Sequence, residues 1–368
     1  MASRNLIFLY VNDGGAQSPD ICEYNPHQPT SNHFAHNLPS EGYFCLLKAL
    51  KDLGVFDNIL IFIETTRNPG HLQYEKGIDC HVVPHIRCVD KYLRPGDIIW
   101  ARGGWRSWHD YLAEKKGKHW LCLYAANSGR SRWKFWDVIF DDLSGKSYAD
   151  GLGRFYFDFV KPTNESIFRS VPLQTKKKYD ICIGASHIHD KKGQWRMVYA
   201  LDVIKNRYNV NLKCVMPGRF LRGVETGAIP QNVISSGLDV DMPGMISRQD
   251  LALLMSQCTV FIYAGESGQN DRGPIEALAC GLPISVARMS RHHPLVWDQQ
   301  FCKNINWKDI SKASDVVFNY WQQIRQEGNL VNVLVRNYYD EHMSLKRITD
   351  RMGMFFYMLQ DKKVGSKL

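Results

Sequence analysis

Glu276 and Pro274 stand two positions apart in the stretch 259–288, TVFIYAGESGQNDRGPIEALACGLPISVAR, the part of the chain most suggestive of chemistry. It reads as a buried strand over 259–265, a polar glycine-containing loop, a short helix opening at Pro274 and a second strand from Pro283. Proline suits the first turn of a helix because its missing N–H would have no partner there in any case. The free N–H groups of that turn, at the positive end of the helix dipole, form a seat for phosphate. Glu276 is expected in the same turn. A carboxylate beside a phosphate seat repels the phosphate, so its natural task is to accept hydrogen bonds from neighbouring hydroxyls. Phosphate with vicinal hydroxyls describes the ribose of a nucleotide. The alternative is that Glu276 only complements the helix dipole.

Other polar groups sit where strands are expected to end. Arg102-Gly103-Gly104 reads either as a ligand or phosphate contact or as a turn with a solvated arginine. Asp141 and Asp142 close another strand, to meet a hydroxyl-bearing ligand or to cap the following turn. His33 and His36 lie in the polar segment 18–39, long for a plain connection, and read either as part of a ligand-binding loop or as solvated side chains. Arg291-His292-His293 has no carboxylate at metal-binding spacing, and Pro294 reads as a helix opening. No GxSxG, HExxH or GxxxxGKS occurs, which leaves serine-hydrolase, zincin and P-loop chemistry without a motif.

The elements that must position these groups alternate. Apolar runs at 6–12, 59–64, 80–84, 97–101, 120–125 and 138–141 read as buried parallel strands. Between the first two, 40–53 reads as a helix: Tyr43, Leu46, Leu47, Leu50 and Leu53 share one face, and Ser40 is placed to cap it. The polar stretch 161–178, ending in Lys176-Lys177-Lys178, reads as a solvated linker. Beyond it, strands recur at 179–184, 212–216, 259–263 and 283–287, with helices at 194–207 and 248–257 and, further on, near 315–325, 331–340 and 345–359. Two such series imply an α/β protein of two doubly wound, Rossmann-like domains, with ligand at the carboxyl ends of the strands in an interdomain cleft. The expected limits are 1–165 and 166–344, with a helix within 345–368 packing back on the first domain.

The 368 residues carry a formal charge of +9, with 44% hydrophobic and 23% charged side chains, as in a globular protein of two domains. The basic residues are scattered, which argues against nucleic acid and leaves phosphorylated small molecules or an anionic membrane surface as partners. The apolar run 6–11 is too short for a signal segment or a membrane span, so a cytoplasmic location is expected. None of the ten cysteines forms a CxxC, and a reduced, structural role is expected for them.

Taken in order, several segments resemble the GT-B fold glycosyltransferases, above all the large retaining family 4. FVKPTNESIF (159–168) is similar to the family's interdomain segment, and ICIGASHIHDKKGQW (181–195) resembles its strand followed by a Lys-Gly pair, here Lys192-Gly193. VDMPGMISRQDLALLMSQCTVFIYAG (240–265) resembles the glycine turn, with Gly244, and the helix and strand that follow. GPIEALACGLPISV (273–286) matches the donor signature, with Glu276 as its final glutamate. The resemblance implies that Lys192 contacts the donor diphosphate, that Glu276 holds the ribose hydroxyls, and that backbone at Gly273, Pro274 and Ile275 surrounds the phosphates. Pro274 itself has no N–H to lend. Gly14 and Gly15 would approach the phosphate from the first domain. Lys192 and Glu276 are the catalytic candidates; Gly14, Gly15, His187, Gly244, Asp271, Arg272, Gly273, Pro274, Ile275 and Glu276 are the candidates for binding the donor. Asp239-Val240-Asp241 has the spelling of a metal-binding acidic pair, but it aligns with the family's strand before the glycine turn, and no metal is expected.

Two departures stand out. The family places an arginine five residues before the lysine, where this chain has His187, and a further glutamate eight residues before the signature one, where it has Gly268. Glu266, Asn270 and Asp271 lie nearby, with Asn270 and Asp271 the nearest candidates for sugar hydroxyls and Arg272 for phosphate. The resulting expectation is a glycosyltransferase moving a sugar from a nucleotide diphosphate donor to a hydroxyl acceptor such as a glycan or glycolipid, with retention and without a cofactor. The alternatives are a non-catalytic nucleotide-sugar-binding protein and a GT-B type nucleotide-sugar epimerase.

Overall fold

The computed structural model describes residues 4–15, 25–103, 106–124, 130–141, 146–173, 176–184, 187–221, 223–265, 272–287 and 300–362. The chain divides into two compact units, Met1–Pro162 with Leu345–Leu368, and Thr163–Ser344.

The first unit contains β1 (Asn5–Asn12), β2 (Asn58–Glu64), β3 (Gly70–Glu75), β4 (Ile78–Val83), β5 (Ile98–Arg102), β6 (Trp120–Tyr124), β7 (Val138–Asp141) and β8 (Phe155–Asp158). They form one sheet in the order β3-β4-β2-β1-β5-β6-β7-β8, parallel except for the antiparallel edge strand β3. The order reverses between β1 and β5, so the loops after Asn12 and Arg102 flank the switch point where such sheets bind ligands. Helix Gly42–Asp52 buries Tyr43, Leu46, Leu47 and Leu50, as their spacing requires. It begins later than expected: Ser40 ends the 3-10 turn Leu38–Ser40 and donates to the Asn37 carbonyl (2.7 Å), so it does not cap the helix. Helix Leu345–Gln360 packs in this unit, with Phe356 edge-on to Phe56 at 5.1 Å and Gln360 Nε2 donating to the Val55 carbonyl at 3.0 Å.

The second unit contains β9 (Tyr179–Ile183), β10 (His187–Ile188), β11 (Cys214–Pro217), β12 (Arg219–Phe220), β13 (Val240–Gly244), β14 (Cys258–Ile262), β15 (Ile284–Ala287) and β16 (Cys302–Ile305). Six of them form a parallel sheet in the order β13-β11-β9-β14-β15-β16, and β10 pairs with β12. The switch point lies between β9 and β14. The stretch 161–178 is more than a solvated linker. Helix Glu165–Phe168 buries Ile167 and Phe168, and Lys177 Nζ, half-buried, donates to the Ser256 carbonyl (3.0 Å). Every described cysteine is free. Among the described residues no helix is long and apolar enough to cross a membrane.

Candidate functional site

Phe261, fully buried in β14, organises the carboxyl edge of the second sheet. A Cβ built on Gly184, just after β9, would lie 1.8 Å from Phe261 Cζ, and one on Gly273 would lie 3.1 Å from the same atom. The phenyl ring therefore brings the end of β9 and the start of helix Arg272–Ala279 together at the switch point. The Lys-Gly pair reaches the same edge. Gly193 has φ +70°, and a Cβ there would lie 2.2 Å from the Ala264 carbonyl oxygen, a position that admits no side chain. A Cβ on Gly265 would in turn lie 2.9 Å from the Lys192 carbonyl oxygen.

Lys192, half-buried, closes the 3-10 turn Asp190–Lys192. Gln194 braces the segment before it: its Nε2 donates to the His187 carbonyl (3.0 Å), and its Oε1 accepts from the His189 N–H (3.3 Å). Asp190 caps helix Val224–Ser235, accepting from the Val224 and Thr226 N–H groups and from Thr226 Oγ1 (3.1, 2.7 and 2.6 Å). The Thr226 hydroxyl, then its N–H, hold the Asp190 carboxyl below the ordinary carboxylate range. The carboxylate closest in sequence to Lys192 is thus occupied at another helix.

His187 is exposed on β10, and its register partner on β12 is Arg219, also exposed. Sequence reading missed this arginine, because two-residue strands have no periodicity to betray them. Arg219 follows Gly218, whose N–H donates to the Gly244 carbonyl (2.8 Å), so the Gly244 turn and the two outward side chains share the carboxyl edge of β11 and β13. The Arg219 side chain has no hydrogen-bond or ion-pair partner among the described residues.

Glu276 departs from expectation in its position. The helix opens at Arg272 rather than Pro274, which moves Glu276 into the second turn, where the dipole acts weakly. Its side chain is buried, with 7% of the residue exposed. Oε1 accepts a hydrogen bond from Arg248 Nη1 at 2.9 Å, and Oε2 has no partner among the described residues. Arg248 is the first residue of helix Arg248–Ser256, capped by Ser247 through the Asp250 N–H (3.0 Å), and its guanidinium lies 5.9 Å from the Phe168 ring centroid. Pro274 and Ile275 are buried; Arg272 and Gly273 are half-buried. Asp271 lies outside the described residues, as do Glu266, Gly268 and Asn270.

In the first unit, the N–H groups of Gly14 and Gly15 donate to Asn12 Oδ1 (3.2 and 3.4 Å), so both amides are engaged within an Asx turn. Asn12 Nδ2 in turn donates to Glu64 Oε2 (2.5 Å). Glu64, buried at the end of β2, also accepts from Trp108 Nε1 (2.5 Å) and the Ile86 N–H (2.9 Å). Burial pushes its carboxyl up, against the pull of those two bonds. Arg102 is no solvated turn residue: its guanidinium lies 4.7 Å from the Tyr10 ring centroid and 4.9 Å from that of Tyr43. His33 and His36 belong to the short helix His33–Asn37; His36 Nε2 meets the Thr30 carbonyl at 2.9 Å, and the His33 ring lies 4.0 Å from that of Phe34. Asp141 is buried at the end of β7, while Asp142 and the segment 291–294 lie outside the described residues.

Among the described residues no group of three or more His, Cys, Asp or Glu side chains is placed to hold a metal ion. Asp241 accepts from the Tyr179 hydroxyl (2.6 Å) near the starts of β13 and β9, at the edge away from Lys192. A cavity of 480 Å³ lined by Lys177, Tyr179, Thr259 and Arg325 opens at that same amino-terminal edge.

No family model and no curated protein matches the chain. Solved structures do. Sucrose-phosphate synthase from Thermosynechococcus elongatus is 14% identical with a TM-score of 0.70, over 97% of this chain and 99% of that one. A glycosyltransferase from Rickettsia africae is 12% identical with a TM-score of 0.69, over 98% and 100%. HepE from Anabaena, solved with UDP and glucose, is 12% identical with a TM-score of 0.66, over 96% and 100%. At such identities the likeness speaks for architecture. The chain has the GT-B fold of these structures, with two Rossmann-like units along its length.

Proposed function

We propose that the chain transfers a sugar from a nucleoside diphosphate donor to a hydroxyl acceptor. The observation that carries this reading is Glu276: a buried carboxylate on a helix at the switch point, with one oxygen held by Arg248 and the other without a partner among the described residues. An acceptor oxygen left open on a largely buried side chain at a binding edge suits a ligand hydroxyl, and the ribose of a nucleotide supplies two. In this reading Lys192 and the Gly273 amide, in the first turn of helix Arg272–Ala279, offset charge on the departing diphosphate. One such preorganised donor is worth about 3 kcal/mol in the transition state. The bond from the anomeric carbon to the diphosphate oxygen breaks, one to the acceptor oxygen forms, and the acceptor's proton leaves with the diphosphate.

HepE has been solved with UDP and with UDP-glucose, which favours a uridine nucleotide as the first to test. In this reading the unit after Pro162 binds the donor and the first unit binds the acceptor, a glycan or lipid-linked glycan. Retention, independence from metal and a cytoplasmic place with peripheral contact to anionic membrane complete the proposal.

The test is incubation with radiolabelled UDP-, GDP- and ADP-sugars and a panel of sugar acceptors. Release of nucleoside diphosphate together with a new glycoside supports transfer. Binding with neither event selects the non-catalytic alternative, and a changed sugar still attached to its nucleotide selects the epimerase. A chain that binds none of the three nucleotides refutes the reading.

A further inference from the structure

We infer that Arg248 is the positioning residue of the ribose site, fixing the orientation of Glu276 and offsetting its negative charge. The inference builds on the donor-binding reading above. A carboxylate close to a diphosphate is a liability: the two repel, and the repulsion grows as water is excluded. The structure offsets it locally. Arg248 Nη1 donates to Glu276 Oε1 at 2.9 Å, and both side chains are largely buried, with 20% and 9% of their surface exposed. A buried pair of this kind is neutral overall, so the carboxylate remains an acceptor without imposing a net negative field on the phosphates.

Geometry makes the second half of the case. Arg248 takes only Oε1 and leaves Oε2 without a partner among the described residues. The guanidinium is held in place, because Arg248 opens a helix whose start is capped by Ser247 and its planar group lies 5.9 Å from the Phe168 ring centroid. Helices Glu165–Phe168, Arg248–Ser256 and Arg272–Ala279 thus each supply one member of a Phe168–Arg248–Glu276 stack. With one oxygen fixed, the other keeps a single orientation toward the ribose hydroxyls, as a site that must distinguish ribose from deoxyribose requires.

Calorimetric titration of the full chain with UDP, GDP and ADP, and with the 2′-deoxy form of whichever binds, tests this. Arg248→Met is expected to weaken nucleotide binding by about tenfold or more and to shrink the preference for the ribonucleotide, whereas Arg248→Lys retains affinity to within about threefold. In a Glu276→Gln background, Arg248→Met should change affinity by less than about twofold, since the two side chains act as one unit. This double variant leaves no lone buried charge, so it folds even where Arg248→Met alone does not. Additive losses from the two substitutions, or an unchanged ribose preference in Arg248→Met, overturn the inference while leaving the donor reading intact. A wild-type chain that binds none of the nucleotides overturns the donor reading itself.

Discussion

Gly193 lies against Ala264 so closely that a Cβ on the glycine would fall 2.2 Å from the alanine carbonyl oxygen. This contact between the Lys-Gly turn and the end of β14 holds Lys192 at the switch point. Gly193→Ala therefore meets backbone, which cannot swing aside, in addition to an unfavourable left-handed φ. Loss of roughly 2–4 kcal/mol is expected, along with most nucleotide affinity. Gly153, with φ +63° and nothing within 4 Å of its Cβ position, is the control. Its alanine variant should cost about 1 kcal/mol. Thermal melts of both variants decide the matter, and equal losses would show the close approach to be illusory.

Glu276→Gln keeps the shape of the side chain and removes its charge. It should weaken nucleotide binding by roughly 1.5–3 kcal/mol, the value of charge-assisted hydrogen bonds. Calorimetry on a variant with a native circular dichroism spectrum is the measurement. Unchanged binding would return Glu276 to a purely structural partnership with Arg248.

Asp97 is buried, and burial raises its carboxyl from the ordinary 3.8 to about 6, against the pull of the Arg94 N–H, which donates to it at 2.8 Å. Below the unfolded value both states are protonated. As pH rises from about 4 to about 6 the unfolded chain ionises first, so stability declines across this window by up to roughly 3 kcal/mol and then levels off. Urea unfolding at several pH values should show this decline in the wild type and a flatter profile in Asp97→Asn. Parallel profiles would remove Asp97 as the cause.

Transfer activity is expected to survive chelation. The acidic spelling Asp239-Val240-Asp241 sits at the far edge of the sheet, with Asp241 engaged by the Tyr179 hydroxyl. In the proposed reading, protein cations and helix amides offset the charge of the diphosphate. Abolition of transfer by EDTA, with recovery on adding magnesium or manganese, would contradict this.

The buried strands were legible because a strand covered on both faces is a continuous apolar run, as in β1 and β2. Edge strands were not. β3, GHLQYE, keeps most of its side chains partly open to water, and β16, CKNI, exposes Lys303, so neither forms such a run. Helix Val224–Ser235 hid behind Pro230, a residue that normally breaks a helix interior. In the candidate site, Glu276 was readable from its local signature. Arg248 was not, for it lies 28 positions away and meets Glu276 only once two helices have packed. Asn12 left a fainter signal: an asparagine just before Asp-Gly-Gly is suited to an Asx turn.

The return of helix Leu345–Gln360 to the first unit makes that unit dependent on residues translated after the whole of the second. Phe356 fills space beside Phe56, Trp100 and Phe140, so a nascent chain that has already made all eight strands of the first sheet still lacks part of its core. At about 5–20 residues per second, translating from residue 163 to residue 360 takes roughly 10–40 s, during which the second unit has its complete sequence before the first does. The usual order of vectorial folding is thereby inverted. The earlier segment waits for Leu345–Gln360, with part of its aromatic core uncovered in the interval.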